Sequence, residues 1–233
     1  MSFNIVNGQI YTPGLAIVDA PQPNTPLGGD TLHIAIDVSG NGKLSLDKDN
    51  DEHKDDDTHL HSLTLFLTST DLSKNFTISN GTSPPDEDGH PAYVGPVLDL
   101  EPSSTVKHVN WPWPECLVGE GSGGGARGKY NISMHQSFRW RGVEHYTVFD
   151  LPISVSNSIG ESDERVDCAS VENELLDRGA LTASNDTLDE VPWVGEVDAS
   201  GEEADAGAAV GSVRAGVWGW VLVTMVGCWC LGY

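Results

Sequence analysis

Thr31–Val38 reads TLHIAIDV and decides the fold class. Leu32, Ile34, Ile36 and Val38 share one face, and Thr31, His33, Ala35 and Asp37 the other. This period of two belongs to a half-buried strand rather than to a helix. The same alternation recurs outward from it. Leu63, Leu65 and Leu67 form one stripe opposite Thr64 and Thr68. Tyr130, Ile132, Met134, Phe138 and Trp140 form another, with Asn131 and His135 facing away. Phe149, Leu151, Ile153 and Val155 form a fourth. Shorter strands are expected over Ile5–Tyr11, Leu15–Asp19, Asn75–Ser79, Tyr93–Leu100 and Thr105–Val109.

Turn chemistry separates these runs: Asn7-Gly8, Pro13-Gly14, Gly28-Gly29, Gly40-Asn41-Gly42, Asn80-Gly81 and Pro84-Pro85. Seven or more short strands punctuated in this way predict an all-β, antiparallel, immunoglobulin-like or fibronectin-like β-sandwich over residues 1–158. Alternation also disfavours the parallel βαβ folds that hold most nucleotide cofactors. The Gly-rich stretch Gly119–Gly128 (GEGSGGGARG) reads as a loop rather than a phosphate cradle.

Charge divides the remainder of the chain. The 233 residues carry 35 Asp+Glu against 12 Lys+Arg, a formal net of −23. Residues 161–212 hold 15 of those acids against Arg165 and Arg178, and Asp47–Asp57 holds seven against two lysines. So acidic a chain excludes nucleic acid as an electrostatic partner, because polyanions repel it. Residues 159–214 read as an acidic, solvated stalk, since blocks of like charge with scattered apolar residues bury too little area to order themselves.

Residues 215–233 (AGVWGWVLVTMVGCWCLGY) are uncharged and apolar. They read as a glycosylphosphatidylinositol (GPI) attachment signal, with Ala206 or Ser200 as the small residue at the attachment point. A membrane helix and a buried strand are the other readings. The anchor implies membrane attachment on the extracellular face. The N-terminus (MSFNIV) shows no secretory leader, so the anchor reading expects one to have been lost. Four glycosylation sequons point the same way, at Asn75, Asn80, Asn131 and Asn185. Cys228 and Cys230 fall in the apolar tail. That leaves Cys116 and Cys168 either as a disulfide, whose loop closure stabilises by about 4 kcal/mol, or as two free thiols.

The opening (NIVNGQIYTPGLAIVDAPQPNTPLGGDTLHIAIDV), the late pair GKYNISMHQSF and YTVFDLPISV, the stalk and the apolar end together resemble fungal secreted, GPI-anchored, immunoglobulin-like cell-surface proteins. The resemblance implies a cell-wall or surface role, with cell-wall polysaccharide or a surface protein as partner, and carries over no catalytic residue.

Candidate chemistry is sparse. Asp47, Asp49 and Asp51 have the spacing of the first three calcium ligands of an EF-hand, but Glu52 and Thr58 stand where Gly and Glu are required. A solvated hairpin tip and no cofactor is the expectation, with weak calcium binding by the carboxylates as the alternative. His59 and His61, in phase with Leu63, Leu65 and Leu67, either bind copper or zinc with a third ligand or simply end a strand. Trp111 and Trp113, in Trp-Pro-Trp-Pro, either stack on sugar rings or plug the sandwich. Gly-x-Ser-x-Gly and His-Glu-x-x-His are absent. The chain therefore reads as a non-enzymatic surface protein, with a carbohydrate- or metal-binding module and a secreted hydrolase or oxidase as alternatives.

Overall fold

The computed structural model describes residues 4–44, 57–83, 91–186, 188 and 190–194. Ten strands carry the fold: β1 (Asn4–Val6), β2 (Gln9–Tyr11), β3 (Ile17–Ala20), β4 (Pro26–Leu27), β5 (Thr31–Asp37), β6 (His59–Ser69), β7 (Lys74–Ser79), β8 (Val106–Pro112), β9 (Gly128–Trp140) and β10 (Val143–Val155). They form two five-stranded sheets, ordered β1-β2-β3-β5-β8 and β4-β10-β9-β6-β7. Every pairing is antiparallel except the short β4–β10 contact, which is parallel. The chain is thus all-β.

The predicted stripes are the inner faces of these sheets. Leu32, Ile34 and Ile36 of one sheet and Leu63, Leu65, Leu67, Ile132, Met134, Leu151 and Ile153 of the other belong to one hydrophobic cluster. Burial of these side chains is the main drive for bringing the sheets together. A second cluster joins Tyr11, Leu15, Ile17, Phe138 and Trp193. β9 and β10 are linked by only Arg141 and Gly142, with φ of 50° and 81°. Positive φ at both positions is the tight-turn geometry that matches strand twist. Tyr93–Leu100, expected as a strand, instead runs irregularly into a 3-10 turn at Val97–Asp99.

One polar residue lies on the inner stripe of β9. Gln136 is fully buried. Its Oε1 accepts from Ala16 N at 3.0 Å, and its Nε2 donates to Thr12 Oγ1 at 2.8 Å. Thr12 in turn accepts from Gly14 N at 3.2 Å and donates to Ala16 O at 2.5 Å. The β2–β3 turn of one sheet is thereby fastened to β9 of the other. Gly14 is required because a Cβ there would sit 2.3 Å from Gln136 Oε1.

The stalk expected to begin at residue 159 is corrected by the path of the chain. Ile159 forms a bridge with Gly119, and Cys168 is disulfide-bonded to Cys116. Residues 171–173 then pair along the free edge of β7, with Thr77 N donating to Val171 O at 2.8 Å and Asn173 N to Asn75 O at 2.7 Å. A short helix, α1 (Arg178–Ser184), is capped by Asp177, whose Oδ1 accepts from Ala180 N at 2.8 Å. Asn185 and Asp186 pair with β10 on the opposite side of the same sheet: Val148 N donates to Asn185 Oδ1 at 2.9 Å, and Tyr146 N to Asp186 Oδ2 at 2.7 Å. Trp193 enters the second cluster and donates to Leu15 O at 3.0 Å. Gly40 makes room for that indole, since a Cβ there would lie 2.6 Å from Trp193 Cε2. The apolar residues of 159–194 are too far apart to show periodicity, yet Ile159, Val171 and Trp193 each fill a socket on sheets already formed.

Candidate functional site

A cavity of about 640 Å³ opens where the start of β5, the end of β8, residues 91–95 and residues 162–166 meet. Pro91, Ala92, Val94 and Pro112 give it an apolar wall, and Asp30, Thr31, Tyr93, Asn110, Glu164 and Arg165 bring polar groups. Its size falls within the roughly 300–1,000 Å³ of small-ligand sites.

Arg165 is the fixed part of this site, with a side chain only 6% exposed. Nε donates to Gly160 O at 2.7 Å, and Nη1 to Trp113 O at 2.9 Å and Asp30 O at 3.3 Å. Backbone carbonyls thus satisfy a charge that would otherwise be costly to desolvate. Nη2 lies 3.7 Å from Asp30 Oδ1, a loose ion pair beyond hydrogen-bond reach. On the opposite wall His33 bridges two lining residues, with Nδ1 2.6 Å from Asn110 Oδ1 and Nε2 2.8 Å from Thr31 Oγ1. Engagement of Oδ1 leaves the amide nitrogen of Asn110 for another partner.

Trp111 and Trp113 are both 0% exposed, so neither offers a ring face to a sugar. Their rings meet edge to face at 6.0 Å, and they shape the cavity from behind. Trp111 Nε1 donates to Ala92 O at 3.3 Å, fixing a wall, while the Trp113 carbonyl anchors Arg165.

His59 and His61 lie at the outer end of β6. A bulge between Leu60 and Ser62 slips the phase, so Leu60 rather than His61 turns towards the core and the expected continuity with Leu63 is lost. The two rings stand 4.4 Å apart, and His61 Nε2 lies 2.6 Å from Glu144 Oε2. The His61 hydrogen bond holds the Glu144 carboxyl below the usual carboxylate range. Among the described residues no group of three His, Cys, Asp or Glu side chains converges as a metal site. Asp47, Asp49 and Asp51, and the attachment candidates Ser200 and Ala206, lie outside the described residues. So does the apolar stretch 215–233. Among the described residues no helix is long and apolar enough to cross a membrane.

The four sequons differ sharply. Asn75 is 4% exposed and its Nδ2 donates to Glu174 O at 2.9 Å, so a glycan has no access to it. Asn131 sits mid-strand in β9, opposite Pro152, and Asn185 Oδ1 is engaged by β10. Asn80 is exposed just after β7, and its Oδ1 accepts from Thr82 Oγ1 at 2.8 Å within its own sequon.

Three buried polar groups carried no sequence signal of their role. Arg127, 4% exposed, donates from Nε to Gly121 O at 2.9 Å, from Nη2 to Asn157 O at 2.6 Å and from Nη1 to Leu117 O, closing the base of the Gly-rich loop. The Tyr130 hydroxyl, near the start of β9, donates to Ala126 O. Burial, aided by the negative charge of Glu172, raises that phenol above its ordinary pKa. His135 sits on the outer face of β9 with Nδ1 2.5 Å from the Tyr146 hydroxyl, and burial pushes its imidazole below the ordinary value against the pull of Asp150. Neighbouring Ser133 donates to Asp150 Oδ1 at 2.5 Å instead of to His135.

The fold and site together define a disulfide-bonded, two-sheet β domain with an open polar cavity at one end. Comparison with protein-family models, curated proteins and solved structures finds no match.

Proposed function

We propose that this chain is a non-enzymatic, immunoglobulin-like domain displayed at the cell surface or cell wall, where it has a structural or interaction role. The Cys116–Cys168 disulfide carries this reading, because structural disulfides persist in oxidising, extracellular compartments. The exposed Asn80 sequon agrees with it. The immunoglobulin-like assignment is supported by strand order: β3-β5-β8 faces β10-β9-β6-β7, as A-B-E faces G-F-C in that architecture. The Tyr130 hydroxyl bonding back to Ala126 matches the tyrosine corner at the start of strand F. The disulfide departs from the inter-sheet pattern of antibody domains, since it joins the β8–β9 connection to the segment after β10.

The test is surface biotinylation of intact cells producing the natural chain, followed by thiol alkylation and treatment with phosphatidylinositol-specific phospholipase. The expected result is a labelled chain with no free thiol at Cys116 or Cys168, released by the phospholipase. A chain confined to the cytosol with both thiols reduced overturns the reading. A labelled chain that the enzyme fails to release removes only the lipid anchor.

A further inference from the structure

We propose that the cavity between β5, β8 and residues 162–166 binds a neutral, polyhydroxylated ligand of the saccharide class. The signs of its polar groups select that class. Arg165 contributes a cation that cannot swing away, because Nε and Nη1 are spent on the carbonyls of Gly160, Trp113 and Asp30. A cationic ligand meets that fixed charge. An anionic ligand meets the carboxylates of Asp30 and Glu164 on the same lining, within a chain of net charge −23. A neutral ligand avoids both repulsions.

Hydrogen-bond capacity narrows the class further. Arg165 Nη2 and the Asn110 amide are donors, the two carboxylates are acceptors, and the Tyr93 hydroxyl serves as either. Sugar hydroxyls donate and accept at once, so they can satisfy such a mixed rim without leaving a partner unpaired, whereas an apolar ligand would desolvate all five groups for nothing. The remaining wall, Pro91, Ala92, Val94 and Pro112, supplies apolar surface against which the C–H face of a pyranose can rest. Specificity would come from the few placed polar groups and affinity from the apolar wall, the usual division in small-ligand sites. The buried indole of Trp111 braces this wall through Ala92 and reports on it optically.

This inference concerns the purified domain and does not depend on where the chain is displayed. The experiment is calorimetric titration of the full-length, disulfide-intact protein with maltotriose, cellotriose, mannotriose and N,N′-diacetylchitobiose. Trigalacturonate and trilysine serve as anionic and cationic probes. At least one neutral saccharide is expected to bind. Tyr93→Ala, and the paired change Asp30→Ala with Glu164→Ala, are each expected to weaken it about tenfold, the loss of one hydrogen bond to a charged group or one apolar contact surface. Asp30 is 99% exposed on its side chain and Glu164 lies at the surface, so the paired variant leaves the core untouched. The proposal is overturned if no neutral saccharide binds at millimolar concentration, if binding survives both variants, or if either charged probe binds more tightly.

Discussion

Replacing Gln136 with leucine removes the polar link between the two sheets without emptying its volume. In the native protein the glutamine oxygen accepts from Ala16 N, a group with no exposure, and its amide donates to Thr12 Oγ1. Leucine leaves the Ala16 N–H buried without an acceptor, a desolvation penalty of about 1–3 kcal/mol. Thr12 keeps its bonds to Gly14 N and Ala16 O, so the second loss is only the net value of one hydrogen bond, about 1 kcal/mol. The expected destabilisation of Gln136→Leu is therefore about 2–4 kcal/mol, read from urea unfolding by tryptophan fluorescence with an unchanged m-value. A second mutation checks the geometry independently. Gly14 is not at a positive φ, so Gly14→Ala costs stability only through the 2.3 Å approach of its Cβ to Gln136 Oε1. In a Gln136→Ala background that clash disappears, and Gly14→Ala should be nearly neutral. The double-mutant cycle should thus show strong non-additivity. A Gln136→Leu loss below about 0.5 kcal/mol, well under the cost of one orphaned buried N–H, refutes the bridge. Additive costs for Gly14→Ala and Gln136→Ala refute it as well.

Three further outcomes follow from other groups. Reduction of Cys116–Cys168, or its replacement by two serines, should cost about 4 kcal/mol by chain entropy for a separation of 52 residues, and unfolding midpoints with and without dithiothreitol check this; coincident midpoints reject it. Burial keeps His135 neutral, so the unfolded chain takes up its proton first as pH falls. Stability owed to the neutral ring is complete above about pH 6.5 and is lost below it, and His135→Gln should flatten the decline as pH falls below about 6.5; parallel wild-type and variant curves would refute this. When the chain is expressed through a eukaryotic secretory pathway, peptide mapping after peptide N-glycosidase should find modification at Asn80 and none at Asn75, and a glycan on Asn75 would contradict the pairing of residues 171–174 with β7.

Alternation exposed β5, β6, β9 and β10 because both faces of those strands have distinct solvents, core and water, and the side-chain period registers the difference. The same stripe contained its own clue to the polar bridge: Gln136 interrupts the run Tyr130, Ile132, Met134, Phe138 at a position facing the core. The segment after β10 escaped for the opposite reason. Its order comes from edge pairing through main-chain groups and from single apolar residues seated in distant sockets, neither of which leaves a local pattern. Of the two readings of Trp111 and Trp113, the buried indoles fit packing within the sandwich rather than stacking on sugar rings. His59 and His61 do end a strand, but their phase with Leu63 is broken by one bulge, a backbone event that a single residue of slip creates and that the residue types do not announce. The cavity itself joins Asp30, Tyr93, Asn110 and Arg165 from four distant stretches, a convergence fixed only by topology.

The disulfide also dictates how the domain answers a pull on its C-terminal side. Trp193 leaves its socket first, then Asn185 and Asp186 peel from β10, and residues 171–173 peel from β7, each contact yielding in turn like a zip. The 26 residues from 169 to 194 can pay out about 90 Å of chain when extended. At Cys168 the tension passes through sulfur to Cys116 and on into β8. β9 and β10, enclosed within the covalent loop, then lie off the line of force. The longest hairpin in the fold is mechanically bypassed, and the domain can lengthen under load while the centre of the β4-β10-β9-β6-β7 sheet stays slack.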